Sequence, residues 1–193
     1  VCHQGEIGCL FRALGMLSGK KTVLHMPSVP AWIMDGSMHT KREFLGGLQG
    51  GDGCQIRFNK VKNGGYNYIC AAMSMSKCLT YKSSLYNWMA DVQSLFAEFD
   101  VECKVVETHV KREDERYQIG VKISDTQDNL IRFYDNIGYR YDTRKIERSG
   151  VVVDYLKARA NIVNQRKDEV QHIRDLYDEG NTACLLYTSP SPR

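Results

Sequence analysis

Residues 44–53 read FLGGLQGGDG, and these two glycine pairs ahead of an Asp-Gly step decide how the rest of the chain is read. Gly46, Gly47, Gly50 and Gly51 stand in or at the end of a helix, although an interior glycine costs about 1 kcal/mol relative to alanine. Small residues four apart let another backbone come close, and Leu45 and Leu48 fill the flanks, so the segment reads as a tight helix-to-helix interface. A phosphate-binding loop fits badly, because no Gly-Lys-Ser/Thr follows and a hairpin rather than a helix comes next. The helix runs into Asp52, placing a carboxylate at a helix C-terminus, where the dipole and free carbonyls favour a cation. Oxygen ligands there suit Mg²⁺.

Working outward, Thr40 and Glu43 form a capping box that predicts a helix over about 41–50. After Gly53 the pattern changes to period two, with Ile56 and Phe58 against Gln55, Arg57 and Asn59. A turn at Asn63, Gly64 and Gly65 and a return strand over 66–76 complete a hairpin. Leu85, Trp88, Met89, Val92, Leu95, Phe96 and Phe99 fall at helical spacing, which predicts an amphipathic packing helix over 83–99 with Trp88 as a buried anchor. A second hairpin follows, with strands over 102–111 and 117–123, and then a short helix through Leu130, Phe133, Tyr134 and Ile137 stopped at Gly138. Upstream, Ile7, Leu10, Phe11 and Leu14 mark a helix end, and Leu10, Phe11, Leu14 and Gly15 align faintly with Phe133, Tyr134, Ile137 and Gly138, a hint of an internal repeat. Residues 152–179 read as one long helix or two, with basic and acidic residues mixed on a solvated face.

The motif over 45–53 resembles the LAGLIDADG (DOD-type) homing endonucleases, and the element order matches that family's αββαββα unit. The context REFLGGLQGGDGCQIRFNK, preceded by VPAWI, is similar to endonuclease domains embedded in inteins. The resemblance implies an α/β (α+β) fold with a four-stranded antiparallel DNA-binding saddle. It implies Mg²⁺-dependent, site-specific hydrolysis of double-stranded DNA, with Asp52 as catalytic metal ligand and Lys122 as the late basic residue. Leu45, Gly46, Gly47, Leu48, Gly50 and Gly51 would then form the interface to a second repeat, in the same chain or in a homodimer. Two carboxylates converging across that interface could hold metals on a phosphodiester. The sixth motif position, often Asp in the family, is Gly50 here.

On the strand faces, Gln55, Arg57, Asn59 and Gln118 have the chemistry to read base edges in a major groove, with Lys60 and Lys62 available for phosphates. The rival readings are a non-cutting nucleic-acid-binding descendant, such as a maturase or transcription regulator, and an inactive endonuclease remnant in an intein. Asp52 argues against the first, since binding alone does not need that acid.

Composition allows this and little else. The 193 residues are 42% apolar and 25% charged, ordinary for a globular protein, and the net charge of +3 permits a nucleic-acid partner only if basic residues gather on one face. Seven cysteines without a C-x-x-C pair, and without histidines at ligand spacing, give neither a zinc ribbon nor a redox motif. They read as reduced core residues of an intracellular protein of cytoplasm or nucleus. No apolar run approaches the ~20 residues of a membrane span. The expected organisation is the end of a preceding repeat (1–26), one repeat (27–145), a helical extension (146–183) and a tail, CLLYTSPSPR (184–193), that resembles a translated sequencing adapter.

Overall fold

The computed structural model describes residues 5–17, 19–60, 62, 66–69, 72–110 and 116–179. In chain order these form α1 (Glu6–Ala13), a 3₁₀ turn (Lys21–Val23), α2 (Ala31–Met34), α3 (Met38–Gly51), β1 (Arg57–Lys60), β2 (Tyr66–Ile69) and β3 (Ala72–Cys78). A second 3₁₀ turn (Leu79–Tyr81), α4 (Lys82–Ala97), β4 (Cys103–Val110), β5 (Arg116–Ile123), α5 (Gln127–Asn136) and α6 (Thr143–Asp178) follow. The expected turn at 63–65, the charged turn at 111–115 and the tail at 184–193 lie outside the described residues. The chain divides into two compact units, 1–153 and 154–193.

The architecture is mixed α/β, as the alternation of periods implies, but the sheet differs from the expected single four-stranded saddle. The described strands form two sheets, an antiparallel pair β1–β2 and a three-stranded antiparallel sheet in the order β3–β5–β4. What reads as one return strand over 66–76 is two, β2 and β3, serving different sheets. Period-two patterning shows which residues share a face and says nothing of which partner they pair with.

Helix α4 supplies the core. Leu85, Met89, Val92, Leu95 and Phe96 are fully buried and Trp88 nearly so, as their spacing predicts. The helix packs on one face of the three-stranded sheet, against Met73, Ile119, Val121 and Ile123, all fully buried. Cross-strand register aligns Met73 with Val121 and Val121 with Val105, so the apolar rows continue across the sheet. The loop before α2 is tied to α4 by its backbone: Met26 N–H donates to Ser84 Oγ (3.0 Å) and Val29 N–H to Asp91 Oδ2 (3.0 Å).

Two buried polar groups hold connections. Asn129, fully buried on α5, accepts from Glu102 N–H (2.7 Å) and donates to the carbonyls of Glu102 and Ser124 (2.9 Å each), tying the open end of the β4–β5 hairpin to α5. Lys77 enters the core from β3 and donates to the carbonyls of Leu24 (2.6 Å) and Lys21, which fixes the first 3₁₀ turn. Burial holds its ammonium below the usual lysine range.

Helix α3 begins one turn earlier than the Thr40–Glu43 box suggests. Ser37 is the N-cap, accepting from Thr40 N–H at 3.2 Å. Glu43 turns instead to the loop after α5. Tyr141 O–H donates to its Oε2 (2.9 Å) and Arg140 Nε to its Oε1 (3.1 Å), and these bonds hold its carboxyl below the usual range.

Candidate nucleic-acid interface

The glycines of α3 do admit another backbone, and that backbone is the chain's own loop after α5. A Cβ on Gly46 would lie 2.6 Å from Arg140 Cγ, and a Cβ on Gly50 would collide with the Arg140 carbonyl. Arg140 N–H donates to Gly46 O at 2.9 Å, so helix and loop meet backbone to backbone. Gly47 faces the ring of Tyr141 at 3.4 Å, Gly51 meets nothing within 4 Å, Leu45 is fully buried and Leu48 half-buried. Sequence spacing shows that room is made and is silent on what fills it.

The cation expected at the end of α3 is also present, as a side chain. Lys145, on the first turn of α6 and 7% exposed, extends Nζ to the carbonyls of Gly50 (2.6 Å) and Gly53 (2.7 Å), with Gln49 O at 3.3 Å and Gly51 O at 3.4 Å. An ammonium thus satisfies carbonyls that the helix leaves free. Tyr139, buried beside it, donates its O–H to Cys54 O (3.0 Å) and fixes the turn that follows. Asp52 itself is the exposed C-cap, its N–H bonded to Leu48 O. Among the described residues no three His, Cys, Asp or Glu come together to hold a metal. The carbonyls of Gly50 and Gly53, on either side of Asp52, are thus already bonded by the Lys145 ammonium.

The uncovered face of the three-stranded sheet is where basic and amide groups do gather. Side chains alternate across a strand, so the face opposite α4 carries Ser74 and Ser76 from β3, Arg116, Gln118 and Lys122 from β5, and Lys104 from β4. Lys104, Lys122 and Ser74 are exposed, and Gln118 Nε2 donates to Ser74 Oγ at 2.6 Å. Lys104 and Lys122 are direct cross-strand partners. Like charges opposite one another destabilise a sheet, so this pair makes sense where an anion neutralises it. Beside them a hollow of about 280 Å³ is lined by Glu102, Cys103, Lys104, Lys122, Ser124 and Asp125. Gly120 lies flush between the strands, where a Cβ would strike Met73 O and Ser74, so the face is flat at its centre.

Of the expected site residues, Gln118 and Lys122 lie on this face. Asp52 is not among the residues around Lys122. Arg57, Asn59 and Lys60 belong to β1 of the separate two-stranded sheet, and the side chain of Asn59 lies outside the described residues. Arg57, Lys60 and Lys62 are exposed, while Gln55 precedes β1 and accepts from Arg148 Nη1 at 2.6 Å. Sequence reasoning missed Lys104, although its alternation with Cys103 and Val105 marks it as outward-facing. It also missed Lys145, for which a lysine between Arg144 and Ile146 gives no signal.

Cys103, at the rim of the hollow, points the other way, and burial pushes its thiol up to about 12. The thiol stays protonated in the folded chain where an unfolded one ionises near 9.0, so its contribution to stability is lost as pH rises from there through about 12. We expect alkylation at about pH 8 to modify exposed Cys9 and Cys54 ahead of Cys103, read by peptide mapping. Equal rates would contradict this placement.

No family model matches the chain, and no solved structure does. Among curated proteins it is 28% identical over 170 residues to the tRNA-splicing ligase RtcB of Methanopyrus kandleri, covering 88% of this chain and 16% of the relative. It is 30% identical over 173 residues to the tRNA-splicing ligase RtcB of Methanocaldococcus jannaschii, covering 90% of this chain and 17% of the relative. A third match, 27% identical over 143 residues, is to the replication factor C small subunit of Methanocaldococcus jannaschii, covering 74% of this chain and 7% of the relative. The chain thus spans about a sixth of the length of the tRNA-splicing ligases it matches.

These relatives correct the reading taken from residues 44–53. They are named as a tRNA-splicing ligase and a replication factor, and none is named an endonuclease or an intein. The assignment to LAGLIDADG homing endonucleases, the DNA-hydrolase activity, and the double-stranded DNA and second-repeat partners are therefore withdrawn. The physical reason lies in α3. Gly46 and Gly50 pack against Arg140, Gly47 faces Tyr141, and Lys145 bonds the C-terminal carbonyls, so the close approach and the attraction for positive charge are both met within the chain. Among the described residues no helix is long and apolar enough to cross a membrane.

Proposed function

We propose that this chain is an RNA-binding module carried within a larger protein of the tRNA-splicing-ligase type, and that it binds through the uncovered face of β3–β5–β4. The observation that carries this is the Lys104–Lys122 pair, exposed and directly opposed on a flat face that also presents Gln118, Ser74 and Arg116. Two supports come from the relatives. Their name, tRNA-splicing ligase, places a transfer RNA at those whole proteins, and the match to a differently named protein favours a self-contained segment over one peculiar to a ligase. Binding, rather than the joining of RNA ends, is the role assigned to these residues.

The chemistry of the face favours a structured RNA. Among its described residues there is no aromatic side chain on which an unstacked base could lie. Lysines and an arginine suit phosphates, and Gln118 with the two serines suits 2′-hydroxyls along the shallow groove of an A-form helix. The double substitution Lys104→Ala with Lys122→Ala should weaken binding of a transfer-RNA transcript about tenfold, close to 1.4 kcal/mol, and lower the salt dependence by roughly two released ions. Fluorescence anisotropy at several salt concentrations reads both. Unchanged affinity and slope in the double variant would overturn the assignment of this face.

A further inference from the structure

The second half of α6 presents a surface that the RNA-binding reading does not use. Val163, Val170 and Tyr177 recur every seven residues with Ile173 between the last two, and they are 39%, 47%, 63% and 50% exposed. Ile162, 51% exposed, widens the stripe. A seven-residue apolar repeat left open on a long helix is a seam for another helix. A groove of about 500 Å³ runs along it, lined by Val163, Arg166, Lys167, Val170, Gln171 and Arg174.

Charge along the helix identifies the occupant. Residues 154–167 carry four basic side chains (Lys157, Arg159, Arg166, Lys167) and one acid, Asp154. Residues 168–179 carry five acids (Asp168, Glu169, Asp175, Asp178, Glu179) and one base, Arg174. A helix with a basic first half and an acidic second half is complementary to itself when reversed. Parallel pairing would set basic against basic and acidic against acidic, while antiparallel pairing sets each half on its opposite. We infer that the exposed half of α6 pairs antiparallel with the same segment of a second copy of this chain. About a two-fold axis near Asp168, Val163 of each copy lies beside Ile173 of the other, and Arg166 lies beside Val170 and Glu169. A two-fold arrangement closes on itself, so the product is a dimer and not a filament. A single helix pair of this length is a small interface, at the weak end of specific association.

Sedimentation of the full 193-residue chain tests this, with the 22.0 kDa monomer as reference. We expect a dimer at about 100 µM that dissociates on dilution to about 1 µM. Val170→Asp with Ile173→Asp should leave a monomer of unchanged helical content by circular dichroism. The exposed pair Arg166→Glu with Lys167→Glu, which removes no apolar contact, decides the orientation. It should weaken the dimer at least about tenfold if the helices are antiparallel, and would leave it about unchanged if they were parallel, because like charge would still face like charge. A monomer at all concentrations, a dimer indifferent to the Val170 and Ile173 substitutions, or a dimer unchanged or strengthened by the glutamates would each overturn the inference.

Discussion

Gly50→Ala should destabilise the folded chain by roughly 3 kcal/mol or more, while Gly51→Ala, one residue on, should be neutral or stabilise it by up to about 1 kcal/mol. The two substitutions add the same methyl group to the same helix. At Gly51 it enters open space and helix propensity improves. At Gly50 it meets the carbonyl of Arg140, a backbone atom that no rotamer change can move aside. The loop would have to retreat, which also breaks the Arg140 N–H bond to Gly46 O and pulls Tyr139 and Arg140 away from their partners. Urea denaturation of both variants reads the difference. Equal midpoints for the two would show that the glycines of α3 do not owe their place to this loop.

Lys145→Met carries the second large effect. Methionine keeps most of the side chain's length and apolar bulk, so the change isolates the ammonium. Its loss leaves the carbonyls of Gly50 and Gly53 in a buried site without the donor that bonds them at 2.6 and 2.7 Å. A hydrogen bond to a charged group contributes about 1.5–3 kcal/mol, and stranding a buried acceptor adds to the cost, so we expect a loss of roughly 2–4 kcal/mol in urea unfolding. A loss below about 0.5 kcal/mol would mean that water replaces the ammonium there without penalty.

These two residues also mark where sequence reading succeeds and where it stops. The spacing of Leu85, Met89, Val92, Leu95 and Phe96 predicts α4 and its buried face, because a helix buries one stripe whatever it packs against. Gly138, with φ of +65°, ends α5 as its position implies, since the left-handed region favours glycine. Close approach to the α3 glycines was legible too, because only a neighbouring backbone gives such residues a reason. The identity of that neighbour was not, since Arg140 lies about ninety residues on and nothing in its own context marks it. The division of one apparent strand into β2 and β3 was hidden for a related reason, because alternation is the same whichever sheet a strand joins. Of the face proposed to bind RNA, Gln118 and Lys122 could be read from alternation on β5. Their neighbour Lys104 comes from register, which pairing determines and spacing does not.

The resemblance drawn from FLGGLQGGDG shows the same limit at the level of function. A glycine-rich helix ending in Asp-Gly has one physical content, close packing beside a helix C-terminus that attracts positive charge. In this chain an internal loop and an internal lysine meet both requirements.

Whether the uncovered sheet face binds RNA is read by comparing two ligands on the unaltered chain. A transfer-RNA transcript and a duplex DNA of the same length would be titrated side by side at about 150 mM salt with Mg²⁺ present, near physiological screening. We expect the RNA to bind at least about tenfold more tightly, as 2′-hydroxyl contacts and A-form geometry imply. Tighter binding of the duplex DNA, or its cleavage, would contradict it.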